Sequence, residues 1–583
     1  MTAFEVWAPA AEHVRVVLGG DDDREEHQMS RGDEGWWRVE VDAAQPGTDY
    51  GFVLGDDAAV LPDPRTRWQP HGVHGRSRVY DQTAFTWTDE QWTGRTLPGA
   101  VIYELHVGTF TPGGTFDSAI ERLDHLVGLG ITHVELLPVN AFNGTWNWGY
   151  DGVDWYAVHH PYGGPDGLKR FVDASHERGL AVLLDVVYNH LGPSGNYLPR
   201  YGPYLKSNGR NTWGDLVNLD GPHNGPVRRF IIDNALMWLD DFHVDGLRID
   251  AVHALRDDSN VHVLTELATE VAALETHVRR PLPLIAESDL NDPAMVTPRS
   301  ARGYGMSGQW DDDVHHALHA LLTGEHQGYY SDFGSLDVLA KVLTRVFLHD
   351  GTYSTFRERM HGRPVDRSST AGFRFVVCLQ NHDQVGNRAV GDRLPELASR
   401  GMLEVGAVLL LTTPCTPMLW MGEEWAASTR WPFFTSHPEP ELAKATADGR
   451  LAEFDGHGWD VAEVIDPQDP AAYETAILAW DEVREPDHAR MLDLYRGLIG
   501  LRRDEAELSD PRLDHVDVTF DEDARWFVLH RGSLRVLVNF AAEPQMIPVS
   551  DIDDVLFSTG EVELTGAGAV LSAESAAVVR LTA

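Results

Sequence analysis

Cysteines and basic residues are scarce in this chain of 583 residues. Its two cysteines, Cys378 and Cys415, each lie in an apolar run typical of a buried strand or its edge, so we predict free buried thiols and no disulfide framework. The 47 lysines and arginines are outnumbered by 90 acidic residues, which gives a formal net charge of −43. Such a charge argues against a nucleic-acid or membrane partner and fits a neutral polymer better. Because the acids are spread along the chain, a solubilising surface is their simplest interpretation.

Long hydrophobic runs are also missing. The amino terminus has neither a basic start nor an apolar stretch of signal-peptide length, so nothing predicts export and we expect a cytoplasmic protein. The most apolar stretch, residues 402–421, contains Glu404, Pro414 and Pro417. We interpret it as the end of a helix followed by a buried strand, and we predict no transmembrane segment.

Two changes of pattern divide the chain into three predicted domains. Residues 1–90 alternate apolar and polar residues in short runs between Gly, Pro and Asp turns, which predicts a β-sandwich. Its tryptophans 7, 36 and 37 could be carbohydrate platforms, although core packing is the simpler interpretation. Residues 91–510 alternate strand-like and helical runs, and residues 511–583 return to β patterning, which predicts a second sandwich.

Eight strand-like runs in the middle segment predict a closed (β/α)8 barrel. The runs 180–187 and 373–379 are almost continuously apolar, as expected for parallel strands buried on both faces. After the third run, a loop-rich insert of about fifty residues, 191–243, is predicted to shape a cleft. The predicted strands are residues 101–107, 132–138, 180–187, 244–250, 282–287, 306–310, 373–379 and 408–413.

Three carboxylates, Asp250, Glu287 and Asp383, stand at the ends of three of these runs. Cleaving an acetal between two sugars requires one acid to protonate the leaving oxygen and one carboxylate to attack or shield the cation-like carbon. Any one of these acids alone would more often be a solvated residue at a strand end. Together, at the carboxyl ends of barrel strands, where barrel enzymes build their active sites, they predict glycoside chemistry.

Four segments resemble, in order, the four short motifs of the α-amylase superfamily of glycoside hydrolases. They are Asp-Val-Val-Tyr-Asn-His at 185–190, Gly-Leu-Arg-Ile-Asp-Ala-Val-His at 246–253, Leu-Ile-Ala-Glu-Ser at 284–288 and Gln-Asn-His-Asp-Gln-Val-Gly-Asn at 380–387. The resemblance implies a (β/α)8 barrel that cleaves α-glucosidic bonds with retention of configuration. Two neighbouring domains of β-sandwich type fit the same resemblance.

The resemblance also implies a role for each catalytic residue. Asp250 matches the nucleophile, Glu287 the general acid/base and Asp383 the carboxylate that stabilises the transition state. Arg248 lies on the same strand face as Asp250 and matches the arginine that orients the nucleophile. Asp185 matches an aspartate that supports the site without doing chemistry.

Further residues are implied around the sugar at the cleavage point, and these are Tyr150, His190 and His382. The superfamily's calcium ligands include the asparagine that matches Asn189 and a histidine where this chain has Ala254. Because calcium requires six to eight oxygen ligands, the loss of one contributor weakens the case. We therefore predict no required metal and no cofactor.

Other segments narrow the resemblance to the maltooligosyltrehalose trehalohydrolases. They include Tyr-Glu-Leu-His-Val-Gly-Thr-Phe-Thr at 103–111, Trp-Asp-Asp-Asp-Val-His-His at 310–316, and residues 285–291 and 382–387. This resemblance implies cleavage of the α-1,4 bond next to the terminal trehalose of maltooligosyl trehalose, with maltooligosyl trehalose synthase as the functional partner. Trehalose recognition requires hydrogen-bonding groups on the leaving-group side, for which the candidates are His253, Asp312, His315, Gln384 and Asn387. Asp313 is a further candidate for substrate binding.

Two other functions remain open. A glycogen-branching enzyme would share the sandwich, the barrel and the three acids, but would transfer the glycosyl group to a sugar hydroxyl instead of water. A non-catalytic glucan-binding protein could also use an amylase scaffold. The presence of all three acids argues against the second alternative.

Overall fold

Eight parallel strands form a closed barrel in the computed structural model, which describes residues 2–20, 22–457 and 464–582. Each strand pairs with the next one along the chain, and the eighth pairs with the first. All eight are buried, since side chains fill the inside of such a barrel and helices cover its outside. The strands are Ile102–Leu105, His133–Leu136, Ala181–Val186, Gly246–Ile249, Leu284–Ala286, Gly308–Trp310, Phe375–Cys378 and Thr416–Trp420. The predicted fold class is confirmed.

The prediction of the eighth strand at residues 408–413 was wrong. These residues end the helix Arg400–Thr412, and the strand follows at Thr416–Trp420. The second half of the helix, from Glu404 onward, is buried on every side, so it lacks the alternation of faces that distinguishes a helix from a buried strand. Thr413 is extended, as expected for a residue before a proline, and so ends the helix.

The longer helices pack around the barrel, and one of them lies within the predicted insert. Residues 191–243 include the helix Asn224–Asp240, which returns the chain to the fourth strand. The irregular part is therefore shorter than predicted and contains the hairpin of Leu205–Arg210 and Asp215–Val217. The other longer helices are Leu123–Leu129, Gly164–Glu177, Val263–Val278, Asp312–Thr323, Leu336–Arg345, Pro440–His457 and Pro486–Asp504.

Antiparallel sheets lie at both ends of the chain. The amino-terminal sheets contain Thr2–Trp7, Trp36–Val41 and Ser30–Arg31 in one, and Glu25–Gln28, Val14–Leu18, Asp49–Leu54 and Ser77–Arg78 in the other. The carboxyl-terminal sheets contain Val516–Asp521, Trp526–Arg531, Leu534–Asn539, Ser575–Leu581 and Ile552–Ser558, and Gln545–Ile547, Gly568–Leu571 and Val562–Thr565. The exact domain limits 1–90, 91–510 and 511–583 stay predictions.

The structure shows where the two cysteines and the three amino-terminal tryptophans lie. Cys378 and Cys415 are free and buried, as predicted. Trp7 and Trp37 are buried in the core, which confirms core packing for these two, whereas Trp36 is half-buried. Within the described ranges, no helix combines the length and the apolar character that crossing a bilayer requires.

Candidate active site

A pocket of about 510 Å³ opens at the carboxyl ends of the barrel strands. Asp250 and Glu287 each follow directly after a strand, and their backbone N–H groups continue the barrel ladder by donating to Val186 and Ile249 at 3.0 Å. The ladder therefore fixes where both side chains begin. Eight of the predicted site residues line the pocket, namely Tyr150, His190, Asp250, His253, Glu287, His382, Asp383 and Asn387.

Asp250 is held through both carboxylate oxygens. Arg248 Nη1 donates to Asp250 Oδ1 at 2.8 Å and to Asp185 Oδ2 at 2.7 Å, and Asn189 Nδ2 donates to Asp250 Oδ2 at 2.6 Å. The guanidinium is fully buried and lies 4.3 Å from the centre of the Trp310 ring. A buried cation and an amide donor both favour the charged form of a carboxylate. This arrangement keeps Asp250 ionised and oriented toward the pocket.

Glu287 is held differently from Asp250, although it stands on the neighbouring strand. Burial raises its pKa to about 8, and the charges of Asp250 and Asp383 add to this effect against the opposing charge of Arg248. The backbone N–H of Ala251 donates to Glu287 Oε2, which leaves the other oxygen for the proton. Ala251 has a positive φ of 40°, a conformation that costs energy for a non-glycine residue and points this N–H at the acid. Glu287 can therefore supply a proton near neutral pH.

Asp383 is the most open of the three acids, since 41% of its side chain is exposed. Asn387 Nδ2 lies 3.3 Å from its Oδ1, and His382 Nε2 lies 3.5 Å from its Oδ2. Burial lowers the pKa of His382, but the carboxylates of Asp383 and Glu104 outweigh it and raise the value to about 9. A charged imidazole thus stands beside Asp383 in the pocket wall.

Two more residues that the sequence placed around the sugar are part of the same wall. The Tyr150 hydroxyl donates to Asp185 Oδ2 at 2.6 Å, and its ring is stacked on His382. His190 Nδ1 lies 2.6 Å from Asn189 Oδ1, and burial lowers the pKa of this histidine. Together these contacts connect the loops after the second, third and seventh strands.

The five predicted trehalose contacts and Asp313 divide into two groups. His253 and Asn387 line the pocket, and Asp312 lies half-buried at the first turn of Asp312–Thr323. Burial raises the pKa of Asp312, and Asp383 contributes to the rise, so the two acids are close. Asp312 raises the pKa of Glu287 as well.

The other three, like Asp312, are not among the residues that line the pocket. Asp313 is buried and accepts hydrogen bonds from Asn291 Nδ2 at 2.8 Å and from the backbone N–H of Leu348 at 2.7 Å. His315 is buried between Leu379 O at 2.7 Å and Tyr330 Oη at 3.0 Å. Asp313 follows Asp312 directly and points to another side of the helix. Both ring nitrogens of His315 already have partners within the fold. Gln384 is half-buried in a short helix and also does not line it.

Sequence reasoning missed several residues that line the pocket. Trp213 stands in the insert, is 48% exposed and is stacked on His190 with ring centres 5.7 Å apart. A single tryptophan among turn residues, Asn-Thr-Trp-Gly at 211–214, was the available signal. Arg450 comes from the helix Pro440–His457 and donates to Asn387 Oδ1 at 3.1 Å, and nothing in the local sequence indicates this. The remaining ones are Asn147, Asp151, Thr212, Ala251, Phe433 and Thr446. Trp148, for which the sequence left a sugar platform and loop packing equally open, also lines the pocket.

The residues of the site offer little to a metal ion. Among the described residues, no group of three or more His, Cys, Asp and Glu side chains is arranged to hold one. The Asn189 amide, which matches a calcium ligand of the superfamily, is committed to Asp250 and His190.

Comparisons with known proteins place the chain in a family. Family models match at residues 77–213 (alpha amylase, catalytic domain), 1–64 (carbohydrate-binding module 48, isoamylase N-terminal domain) and 511–578 (domain of unknown function DUF3459). The malto-oligosyltrehalose trehalohydrolase of Rhizobium sp. (strain M-11) is 55% identical over 99% of this chain and 97% of its own length. The enzyme of that name from Mycobacterium tuberculosis is 54% identical over 94% of both chains.

The chain belongs to the malto-oligosyltrehalose trehalohydrolase family. It is therefore a glycoside hydrolase of the alpha-amylase family, as the sequence predicted. A crystal structure of a proposed alpha amylase from Salmonella typhimurium covers the whole chain with a TM-score of 0.91 at 36% identity. A branching enzyme from Corynebacterium jeikeium is 27% identical over 74% of this chain and 61% of its own length.

Proposed function

We propose that this protein hydrolyses the α-1,4-glucosidic bond next to the terminal trehalose of maltooligosyl trehalose and releases trehalose. The pairing of an ionised Asp250 with a protonated Glu287 on neighbouring strands carries the proposal. Retaining hydrolysis requires this combination of a nucleophile and an acid in one pocket. Membership of the family supports trehalose as the released unit.

The reaction takes two steps. Asp250 attacks the anomeric carbon while Glu287 gives its proton to the leaving glycosidic oxygen, so the trehalose end departs and a glycosyl ester forms on Asp250. Glu287, now ionised, takes a proton from water, whose oxygen attacks the same carbon and frees the carboxylate of Asp250. Asp383 stabilises the positive charge that develops on the sugar ring in both steps.

The neighbouring side chains orient the two sugars at the bond. Tyr150, His190 and His382 surround the sugar that becomes bound to the enzyme, and the exposed ring of Trp213 offers an apolar face at the rim of the pocket. On the leaving-group side, Asp312, His253 and Asn387 provide hydrogen-bonding groups for trehalose. Asp312 makes no hydrogen bond within the described part of the chain and remains available to a sugar hydroxyl.

Product analysis tests the proposal. Incubation with maltotriosyl trehalose should release trehalose and maltotriose, and maltopentaose under identical conditions should be cleaved much more slowly. Proton NMR should show the α-anomer of maltotriose first, because retention leaves the configuration unchanged. The β-anomer would contradict the role of Asp250 as nucleophile.

A second assay separates hydrolysis from branching. With amylose, a branching enzyme would change iodine staining without releasing free sugar. That result would show that the protein transfers glycosyl groups to a sugar hydroxyl instead of hydrolysing the bond. A glucan-binding protein without activity would bind these glucans and turn over none of them.

We also propose maltooligosyl trehalose synthase as the functional partner that supplies the substrate. Both enzymes together should convert maltohexaose to trehalose, and neither should do so alone.

A further inference from the structure

Glu104, on the first barrel strand, accepts two hydrogen bonds from His382, which lines the pocket. Glu104 Oε2 accepts the backbone N–H of His382 at 3.0 Å, and Glu104 Oε1 accepts the imidazole Nδ1–H at 2.6 Å. Each of the two side chains is 1% exposed. A carboxylate that accepts two N–H groups in a buried place is held in its charged form.

The other imidazole nitrogen begins a chain of hydrogen bonds that ends at the nucleophile. His382 Nε2 lies 2.7 Å from the Tyr150 hydroxyl, which gives its single proton to Asp185 Oδ2 at 2.6 Å. Asp185 also accepts from Arg248, which donates to Asp250 as well. Because the hydroxyl proton of Tyr150 is used, Nε2 must donate, and both nitrogens of His382 carry a proton.

We propose that Glu104 is a positioning residue for the cleavage reaction, in that it keeps His382 as an imidazolium and thereby orients Tyr150 and Asp185. The inference rests on the proposed function. Burial raises the pKa of Asp185 to about 6, so this carboxyl is ionised at pH 7 and can accept the proton of Tyr150.

The environment of His382 explains why Glu104 decides its charge. The charged and titratable groups that face it, besides Glu104, are His106, Glu135, Tyr150, Asp185, Arg248 and Asp383. Asp383 is 3.5 Å away and partly exposed, whereas Glu104 makes a direct hydrogen bond. Removing the charge of Glu104 should therefore bring the pKa of His382 down into the working range.

Glu135 is the matched control. It pairs with Glu104 across the first two barrel strands and is equally buried. Its Oε2 has no hydrogen-bond partner, and burial together with the charge of Glu104 raises its pKa well above the usual range. Glu135 therefore lacks the hydrogen-bonded N–H groups that Glu104 accepts, and an amide of nearly the same shape is its matched replacement.

The experiment compares Glu104→Gln, Glu104→Asp and Glu135→Gln on maltotriosyl trehalose. Gln has one acceptor oxygen for two N–H donors, so kcat should fall about 10- to 100-fold at pH 7, with KM changed less than about threefold. The alkaline midpoint of kcat should move toward acid by at least about half a pH unit. Glu104→Asp, which keeps the charge, should keep the wild-type midpoint even where kcat falls. Glu135→Gln should keep both kcat and the midpoint.

Three results would overturn the inference. In the first, Glu104→Gln folds and keeps the wild-type alkaline midpoint of kcat. In the second, Glu135→Gln shows the same acid shift of this midpoint. In the third, the midpoint shifts as far in Glu104→Asp as in Glu104→Gln. If Glu104→Gln does not fold, the other two variants decide. An acid shift of the midpoint in either one contradicts a role that depends on the charge of Glu104. Unchanged midpoints in both support that role. Failure of the wild-type protein to release trehalose would instead overturn the proposed function.

Discussion

The raised pKa of Glu287 predicts that its replacement by glutamine stabilises the folded protein. Burial raises this pKa from the ordinary value of 4.5 to about 8. A group whose pKa is raised in the folded state contributes stability below the unfolded value, and loses it as the pH rises toward the folded value. Between pH 4.5 and 8 wild-type Glu287 therefore costs increasing stability. A glutamine carries no charge and avoids this cost.

The size of the effect follows from the difference between the two pKa values. At pH 7 the gain in the free energy of unfolding should be about 3 kcal/mol, and at pH 5 about 1 kcal/mol. Glutamine has nearly the same shape, and its side-chain oxygen can still accept the N–H of Ala251. Little packing is therefore lost.

Melting temperatures of the wild type and of Glu287→Gln, measured from pH 5 to pH 8, test this prediction. The difference between the two should grow with pH. Asp383→Asn is the control, because the side chain of Asp383 is 41% exposed and its replacement relieves much less burial of charge. A difference that is constant across pH, or a variant that is less stable at pH 7, would refute the protonated, buried state of Glu287.

Four further predictions concern activity. Asp250→Asn and Asp383→Asn should each lower kcat by at least about 1,000-fold in a protein that still folds, and residual activity near the wild-type level would contradict their roles. EDTA should change neither activity nor melting temperature, and a loss restored by calcium would reveal a metal site. Trp213→Ala should raise KM about 10-fold with little change in kcat, as loss of a stacking platform predicts. Asp312→Ala should lower kcat/KM about 10- to 100-fold for maltotriosyl trehalose and much less for maltopentaose. Equal losses on both substrates would contradict a contact between Asp312 and trehalose.

The strands and the acids at their ends could be predicted because both depend on local patterns. A buried parallel strand is an apolar run, and a polar residue directly after it must stand at the edge of the barrel. Asp250 and Glu287 meet both conditions. The same reasoning failed for residues 408–413, since a helix buried on all sides has no polar face to reveal its period.

Contacts between distant parts of the chain could not be predicted. Glu104 and His382 are 278 positions apart, and their hydrogen bond depends on which strands close the barrel. Arg450 reaches the pocket from a helix beyond the eighth strand. The motif that contains Asp312 also contains Asp313 and His315, whose hydrogen bonds to Asn291, Leu379 and Tyr330 the motif could not show.

The division of labour between Asp250 and Glu287 is likewise a property of contacts and not of residue type. Both acids follow neighbouring strands and both lie within 4 Å of Arg248, yet only Asp250 receives a hydrogen bond of 2.8 Å from it, while Glu287 Oε2 stays 3.6 Å away. Asn189 adds a second donor to Asp250. One carboxyl group is therefore compensated and ionised, and the other retains its proton at neutral pH because of burial and the negative charges around it. A nucleophile and an acid result from two side chains that the sequence alone presents as similar.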